Sequence, residues 1–169
     1  NGCGKTTILE CLKYATTGDL PPNLKGGAFV HDPKLVFKQE VRAQVKLAFS
    51  NANGQSMICT RSMQLSKKRG RGSAGDTTTF KTLEGQLAIM NRGERSSIST
   101  KNAELDTQIP LYLGASKAVL DYVIFCHQDD SLWPLSEASV LKTRFDDIFE
   151  ALKFTKVLDT LKVIRKDMS

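Results

Sequence analysis

The first seven residues, NGCGKTT, combine the residue types that bind nucleotide phosphates. The first six of them, NGCGKT, supply the last six positions of the pattern G-x-x-x-x-G-K-[ST], and its first glycine would lie two residues before Asn1. Gly2 and Gly4 permit backbone angles that turn N–H groups inward, and a helix starting near Lys5 would point its positive end at the same anion. Lys5 would reach the β- and γ-phosphates, and the Thr6 hydroxyl would coordinate Mg²⁺. The stretch therefore predicts nucleotide binding, but it does not specify a reaction.

A second candidate site follows the apolar run VIFC, where the chain reads HQDD. Hydrolysis needs a carboxylate presented beside the phosphates, and Asp129 and Asp130 come closest to such a position. A short apolar strand that ends in a polar cluster would present those side chains at the mouth of a sheet. Gln128 is the residue we single out, as an oxygen ligand to Mg²⁺ or as the group that holds the attacking water. The alternative is a surface glutamine at a strand end.

The chain carries 24 Lys and Arg against 18 Asp and Glu, and its net charge of +6 favours polyanionic partners. Part of the excess is local, in the segment KKRGRG followed by SAGDTTT. Its basic residues are candidates for contacts to DNA phosphates: Lys67, Lys68, Arg69 and Arg71. The alternative is a solvated surface loop without a ligand.

Composition narrows the class of protein further. The sequence has 169 residues and 40% hydrophobic content, enough for a packed core. The four cysteines have no C-x-x-C pair or zinc-ligand spacing, so we expect buried free thiols. No run of 18 apolar residues is present, and we expect a soluble, intracellular chain with no membrane partner.

Periodicity and turn residues predict the elements that would position these candidates. The first half of the chain is expected to hold a helix, a Pro- and Gly-rich loop and a β-hairpin: Lys5 to Gly18, Asp19 to Pro33, and the strands Val41 to Phe49 and Gln55 to Leu65 joined by NANG. The second half is expected to hold a third strand, a helix, a buried strand and a further helix: Phe80 to Met90, Lys101 to Leu113, Val123 to Cys126, and a segment capped by Ser136. Ser116 is expected to cap a short helix before the buried strand.

The last segment has apolar residues at spacings of three and four: Phe154, Val157, Leu161, Ile164 and Met168. This is the a/d pattern of a coiled coil. Two heptads are too few to establish one, so periodicity alone favours an amphipathic helix on a core.

Several blocks together resemble one family. They are NGCGKTTILECLKYATTGDLPP, FVHDPK, VRAQVKL, FKTLEG, SKAVLDYVIFCHQDDSLWPLSE and FDDIF. These blocks, which cover nearly the whole chain, resemble the N-terminal head lobe of the Rad-fifty family, the SMC-like ATPases of the MRN/MRX double-strand-break repair complexes.

The resemblance implies an α/β fold of the P-loop NTPase class, an ABC-type ATPase head lobe with an antiparallel β subdomain. Residues 1–150 would form a partial lobe that lacks its first strand, and residues 151–169 would begin the outgoing coiled coil. Family heads are completed by a C-terminal lobe and act as homodimers, and their zinc hook would lie outside this sequence. The a/d pattern would then belong to a real coiled coil.

The resemblance also assigns roles to residues. It implies an ATP phosphate loop, with Mg²⁺ on Thr6, formed by Asn1, Gly2, Gly4, Lys5, Thr6 and Thr7. It places Val30 and Asp32 along the nucleotide and makes Gln128 the residue that binds Mg²⁺ and senses the γ-phosphate. Lys5 and Gln128 would be the catalytic residues.

The implied function is ATP-dependent tethering of double-stranded DNA in the nucleus, on chromosomes and at telomeres. ATP binding would close the head dimer, and hydrolysis would reopen it for a partner nuclease. The chain alone is expected to be catalytically silent, because the Walker B carboxylates and the signature motif are absent from it. Two alternatives stay open: a non-catalytic module that binds DNA or protein, and the nucleotide-binding domain of another ABC ATPase.

Overall fold

The computed structural model describes residues 4–21, 29–33, 35–68, 77–91, 93–126 and 130–167. They belong to two compact units, Asn1–Ala115 and Ser116–Ser169. The expected division of the chain at residue 150 stays a prediction.

The first unit begins with helix α1, Lys5–Thr17, which confirms the predicted helix. Gly18 ends it in the left-handed region with φ 81°, and its N–H donates to Tyr14 O at 3.0 Å. Glycine adopts this conformation without the steric cost of a side chain. Only the C-terminal half of α1 is packed, because Ala15 is fully buried whereas Ile8 is 63% exposed.

Strands β1, Glu40–Ser50, and β2, Ser56–Lys68, form the predicted antiparallel hairpin. Burial along β1 alternates at every residue, as expected for a strand with one covered face. The turn between the strands is held by Asn51, whose Oδ1 accepts hydrogen bonds from the N–H groups of Asn53 at 3.0 Å and Gln55 at 2.8 Å. Both the strands and the turn were predicted from the alternation and from NANG.

The predicted single strand from Phe80 to Met90 is wrong, because the segment divides into β3, Thr77–Thr82, and β4, Gln86–Asn91. Both pair with the same edge of β2, β3 with Met63 to Lys68 and β4 with Met57 to Thr60. The division lies at Gly85, where a Cβ would come within 2.8 Å of Leu105 Cδ2. Glycine permits this close approach because it has no Cβ.

Strand β5, Glu94–Ser99, completes the sheet in the order β1-β2-β4-β5, and every pairing is antiparallel. This strand was not among the predicted elements. Helix α2, Asn102–Leu113, follows as predicted.

Among the described residues of the first unit, buried side chains form two clusters. One lies between the sheet and α2: Met57, Cys59, Leu87, Leu105 and Ile109. The other lies near the C-terminal half of α1: Tyr14, Val30, Met63 and Leu65. Burying each large apolar side chain contributes about 1.5–3 kcal/mol, so these clusters stabilise both helices on one face of the sheet.

The second unit begins with a single turn, α3, Lys117–Val119, and Ser116 caps it as predicted by accepting from the Val119 N–H at 3.3 Å. The turn continues as π-helix over Leu120–Ile124, so the predicted buried strand from Val123 to Cys126 is wrong. Val123 and Ile124 are 58% and 54% exposed. A strand needs a neighbouring strand for its N–H and C=O groups, and the described part of this unit contains none, so local helical bonds replace the sheet.

Helix α4, Ala138–Ile148, confirms the predicted helix, but its cap is not Ser136. The N-cap position belongs to Glu137, while Ser136 ends the 3-10 turn Trp133–Leu135 by donating its N–H to Trp133 O at 3.0 Å. Helix α5, Ala151–Asp167, follows after Glu150, which has a φ of 52°. None of the described helices is long and apolar enough to cross a membrane.

Candidate nucleotide-binding site and nucleic-acid interface

The N-terminal end of α1 is open to solvent. Gly4 precedes the helix in the left-handed region, at φ 74° and ψ 13°, and a Cβ built on it would meet nothing within 4 Å. The first bond of the helix runs from the Ile8 N–H to Gly4 O at 3.1 Å. The N–H groups of Lys5, Thr6 and Thr7 therefore have no acceptor inside the helix, and all three residues are exposed.

The charges at this end of α1 favour an anion. No acidic residue occupies the first turn. The aligned peptide dipoles place about half a positive charge at the N-terminus, and the Lys5 ammonium adds a full one. Free N–H groups, one ammonium and the Thr6 hydroxyl match a polyphosphate with Mg²⁺, an ion that takes oxygen ligands from protein, phosphate and water.

An apolar groove opens beside this end of the helix, with a volume of about 410 Å³. Its walls come from α1 and β1: Gly4, Thr7, Ile8, Cys11, Leu12, Val45, Lys46 and Leu47. The exposed Ile8 side chain belongs to this lining.

The structure describes only part of the predicted phosphate loop. Gly4, Lys5, Thr6 and Thr7 lie together at the start of α1. Three predicted ligands lie outside the described residues: Asn1, Gly2 and Gln128. Their roles therefore stay predictions.

The structure describes both residues that were expected to line the nucleotide, Val30 and Asp32. The Val30 side chain is 9% exposed and packs with Tyr14 and Met63, in the cluster at the C-terminal half of the helix. Asp32 is exposed, and its backbone oxygen accepts from the Leu35 N–H at 3.0 Å. Their predicted contacts with nucleotide stay predictions.

A buried arginine at the other end of α1 was missed from the sequence. Arg61 is 1% exposed, and its Nε donates to Ala15 O at 3.1 Å. Its Nη2 lies 2.8 Å from Asp106 Oδ1 on α2, and its guanidinium lies 5.7 Å from the centre of the Tyr14 ring. The signal was present in the alternation of β2, where Arg61 occupies an inward position between Cys59 and Met63.

Burial around Arg61 shifts two neighbouring groups. Desolvation raises the pKa of the Cys59 thiol from 9.0 to about 11, against the opposing effect of the Arg61 charge. Desolvation also raises the pKa of the Tyr14 phenol. Both groups therefore stay protonated at neutral pH, and the Cys59 thiol donates to Ala15 O at 3.5 Å.

The opposite face of the sheet is basic. Because paired residues share a face, the register places Arg42, Gln64 and Lys81 side by side across three strands. Along the described strands the outward face carries five exposed cations: Arg42, Lys46, Lys68, Lys81 and Arg95. Among the paired outward residues of the described strands, Glu40 is the only carboxylate. This face could therefore neutralise several phosphates.

The predicted basic loop begins later than expected, since Lys67 and Lys68 belong to the end of β2. Successive residues of a strand face opposite sides, so Lys68 shares the outward face whereas Lys67 does not. Arg69 and Arg71 lie outside the described residues. Their contacts with DNA stay predictions.

In the second unit, Trp133 anchors the turn after the HQDD segment. Its indole N–H donates to Tyr122 O at 2.9 Å, and the Arg144 guanidinium lies 5.6 Å from its ring centre. The same guanidinium lies 4.9 Å from the centre of the Tyr122 ring. These contacts make Trp133 a packing residue of the second unit.

Comparisons with known proteins match this chain to a domain family and to DNA repair proteins. A family model described as an AAA domain matches residues 1–167. The chain is 67% identical over its whole length to the DNA repair protein RAD50 of Saccharomyces cerevisiae, of which it covers 12%. It is 62% identical over 99% of its length to the rad50 protein of Schizosaccharomyces pombe, again covering 12%, and 45% identical to the RAD50 of Arabidopsis thaliana, covering 13%. The chain thus spans about an eighth of the length of these relatives.

Proposed function

The chain belongs to the AAA domain family and is similar along its whole length to part of RAD50 DNA repair proteins, and from this premise we propose that it is the ATP-binding part of a DNA repair ATPase. The family resemblance inferred from the sequence blocks is confirmed by these matches. The description of the fold as α/β also agrees with the mixture of helices and sheet.

One observation carries the nucleotide assignment. Helix α1 starts at a left-handed glycine with three exposed residues whose N–H groups are free of helical bonds, and the first turn of the helix contains no acidic residue. We assign the phosphate contacts to the backbone of Gly4, Lys5, Thr6 and Thr7 and to the Lys5 ammonium. Mg²⁺, held at the Thr6 hydroxyl, would supply charge to neutralise the phosphates.

Nucleotide binding is tested by titrating the chain with Mg-ATP in a calorimeter. We expect saturable binding that Lys5→Ala weakens by at least about tenfold, because an ammonium beside a phosphate contributes more than 1.4 kcal/mol. Lys101→Ala is the matched control, since Lys101 is an exposed lysine at the start of α2. Absence of binding by the unmodified chain, or equal losses in the two variants, would refute the assignment.

We further propose that the outward basic face of the sheet binds the phosphate backbone of double-stranded DNA. Five cations on a face with Ser, Thr and Gln side chains suit contacts to phosphates and carry no base preference. The nucleotide helix packs on the other face, since Ala15 contacts Cys59 and Arg61 there. The first unit would thus hold ATP and DNA on opposite sides of one sheet.

DNA binding is tested by fluorescence anisotropy with a labelled duplex over a series of salt concentrations. The double variant Arg42→Ala, Lys81→Ala should weaken binding and lower the magnitude of the salt slope by about 2, since each phosphate contact contributes about 0.9. Lys5→Ala, on the opposite face, is the matched control and should leave the slope unchanged. Equal slopes for the double variant and the unmodified chain would contradict the proposal.

The remaining roles are proposed for the whole protein. The chain would combine with a C-terminal lobe and a second head, close on ATP and reopen on hydrolysis, and regulate the access of a nuclease to DNA on nuclear chromosomes. Gln128 would join the Mg²⁺ site. The apolar residues of α5 at spacings of three and four, here called its seam, would start a coiled coil. Four described seam residues are 48–70% exposed, as required of a helix that pairs with another: Phe154, Val157, Leu161 and Ile164.

The catalytic part of this proposal has a direct test. The chain alone should bind Mg-ATP without turnover, and addition of the C-terminal lobe should produce phosphate release that Lys5→Ala abolishes. Release by the chain alone, or no release by the mixture although Mg-ATP binds, would contradict it.

A further inference from the structure

We propose that Arg61 is a positioning residue for the nucleotide site, acting through helix α1. It holds the C-terminal end of α1 against β2 and α2, and so fixes the direction in which the other end presents Gly4 and Lys5. This inference rests on the proposed ATP-binding function, and it adds a residue that contacts no nucleotide.

The geometry around Arg61 joins three elements. The side chain leaves β2, donates from Nε to Ala15 O of α1 at 3.1 Å, and places Nη2 2.8 Å from Asp106 Oδ1 of α2. The planar guanidinium allows both contacts at once, and its position 5.7 Å from the Tyr14 ring centre adds a third. At 1% exposure, the side chain is held in one place by these contacts.

A cation is the appropriate group at this end of a helix. The last four carbonyl groups of a helix have no N–H partner within it, and they carry the negative end of the dipole. The Gly18 N–H satisfies Tyr14 O at 3.0 Å. Ala15 O is instead satisfied from β2, by the Arg61 guanidinium and the Cys59 thiol. The end of α1 is therefore fastened to the sheet through Ala15.

The other end of α1 depends on this attachment because it has little packing of its own. Residues 4–9 are exposed, whereas residues 14–17 are buried. Lys5 lies ten residues from Ala15, about 15 Å along the helix at 1.5 Å per residue. A tilt of about 5° at Ala15 would therefore move Lys5 by about 1.3 Å, which is enough to misplace an ammonium from a phosphate oxygen.

The tests use Arg61→Gln, Arg61→Lys and Asp106→Asn in the full chain, with Leu87→Ala as the control for lost stability. Leu87 is fully buried on β4, in the cluster between the sheet and α2. Amide hydrogen exchange along α1 is measured without nucleotide, and Mg-ATP affinity is measured by calorimetry at a temperature where each variant is folded. Asp106 is 42% exposed, so its substitution keeps the inference testable if the Arg61 variants do not fold.

We expect Arg61→Gln to speed exchange along α1 and to raise the Kd for Mg-ATP about tenfold, an effect of misplacement by about 1 Å. Arg61→Lys should recover part of the affinity, because it keeps the charge but cannot make both contacts, and Asp106→Asn should show a smaller loss. Leu87→Ala should lower the stability of the chain. Its amide exchange along α1 and its Kd for Mg-ATP should stay close to those of the unmodified chain.

Two outcomes separate the inference from the function it rests on. Unaltered exchange in α1, or variants that bind Mg-ATP as tightly as the unmodified chain, would overturn the role of Arg61. Failure of the unmodified chain to bind Mg-ATP would overturn the nucleotide assignment, and the exchange measurement would still decide whether Arg61 holds α1.

Discussion

Gly18 offers a sharp test of how the end of α1 is built, through the substitution Gly18→Ala. The residue has a φ of 81°, a conformation that costs an L-residue with a side chain about 1–2 kcal/mol. A Cβ would also overlap Asp106 Oδ1 and lie 2.9 Å from Asp106 Cγ. That oxygen is the one paired with the Arg61 guanidinium, so the new methyl group would displace the partner of a buried cation.

The expected loss of stability is the sum of the backbone cost at Gly18 and the cost of disturbing the ion pair between Arg61 and Asp106. Breaking a fully buried ion pair costs about 3–5 kcal/mol, but Asp106 is 42% exposed, so we discount this to about 1–2 kcal/mol. Together with the backbone cost, Gly18→Ala should lower the free energy of unfolding by about 2–4 kcal/mol. Gly54→Ala is the matched control, because Gly54 has a φ of 77° and open space within 4 Å, and it should cost only the backbone share.

The assay is urea unfolding followed by circular dichroism, with Gly18→Ala measured in the unmodified chain and in Asp106→Ala. Without the carboxylate the methyl group has room, so the cost of Gly18→Ala in that background should fall to that of Gly54→Ala. Equal costs in the two backgrounds would refute the reasoning, because they would show that the Asp106 carboxylate does not close the space beside Gly18.

Three further predictions concern the core, the thiol and the second unit. Met57→Ala, at a fully buried position, should cost about 2–5 kcal/mol in urea unfolding, whereas Lys46→Ala on the outward face should change stability by less than about 0.5 kcal/mol. Burial raises the pKa of the Cys59 thiol from 9.0 to about 11, so the folded state keeps a proton that the unfolded state loses; stability should be intact below pH 9 and fall by up to about 2 kcal/mol toward pH 11. This loss of stability should be smaller in Cys59→Ala. Equal losses in the variant and the unmodified chain would contradict a raised pKa of the Cys59 thiol. Trp133→Phe removes the hydrogen bond to Tyr122 O and should cost the second unit about 1 kcal/mol, measured by urea unfolding with far-ultraviolet circular dichroism; no change in midpoint would contradict it.

Local patterns predicted the elements whose signals lie within a few residues. Gly18 ended α1, NANG joined β1 to β2, and Ser116 capped α3, because turns and caps depend on backbone angles and hydrogen bonds between near neighbours. The start of α1 at Lys5 was predicted for the same reason, since its glycine, lysine and threonine lie within one turn.

The predictions failed where the secondary structure depends on contacts with residues that are distant in the sequence. The run from Val123 to Cys126 has the composition of a strand, but no neighbouring strand is described in its unit, and the backbone forms a π-helical turn. The segment around Gly85 reads as one strand, but it lies close to Leu105 of α2 and divides into two strands that pair with separate parts of β2. In both cases the deciding contact comes from residues that a local pattern does not include.

The sequence alone determined which residue types stand at the start of α1, the alternation of the hairpin and the net positive charge, because these follow from residue types at fixed local spacing. Only the tertiary structure decided that Arg61 meets Ala15 and Asp106, and that the cations of four strands share one outward face. Such contacts depend on strand register and helix packing, which are set by the burial of the whole core. An arginine among the inward apolar residues of a strand indicates an unusual position. Only the folded structure shows which residues it contacts.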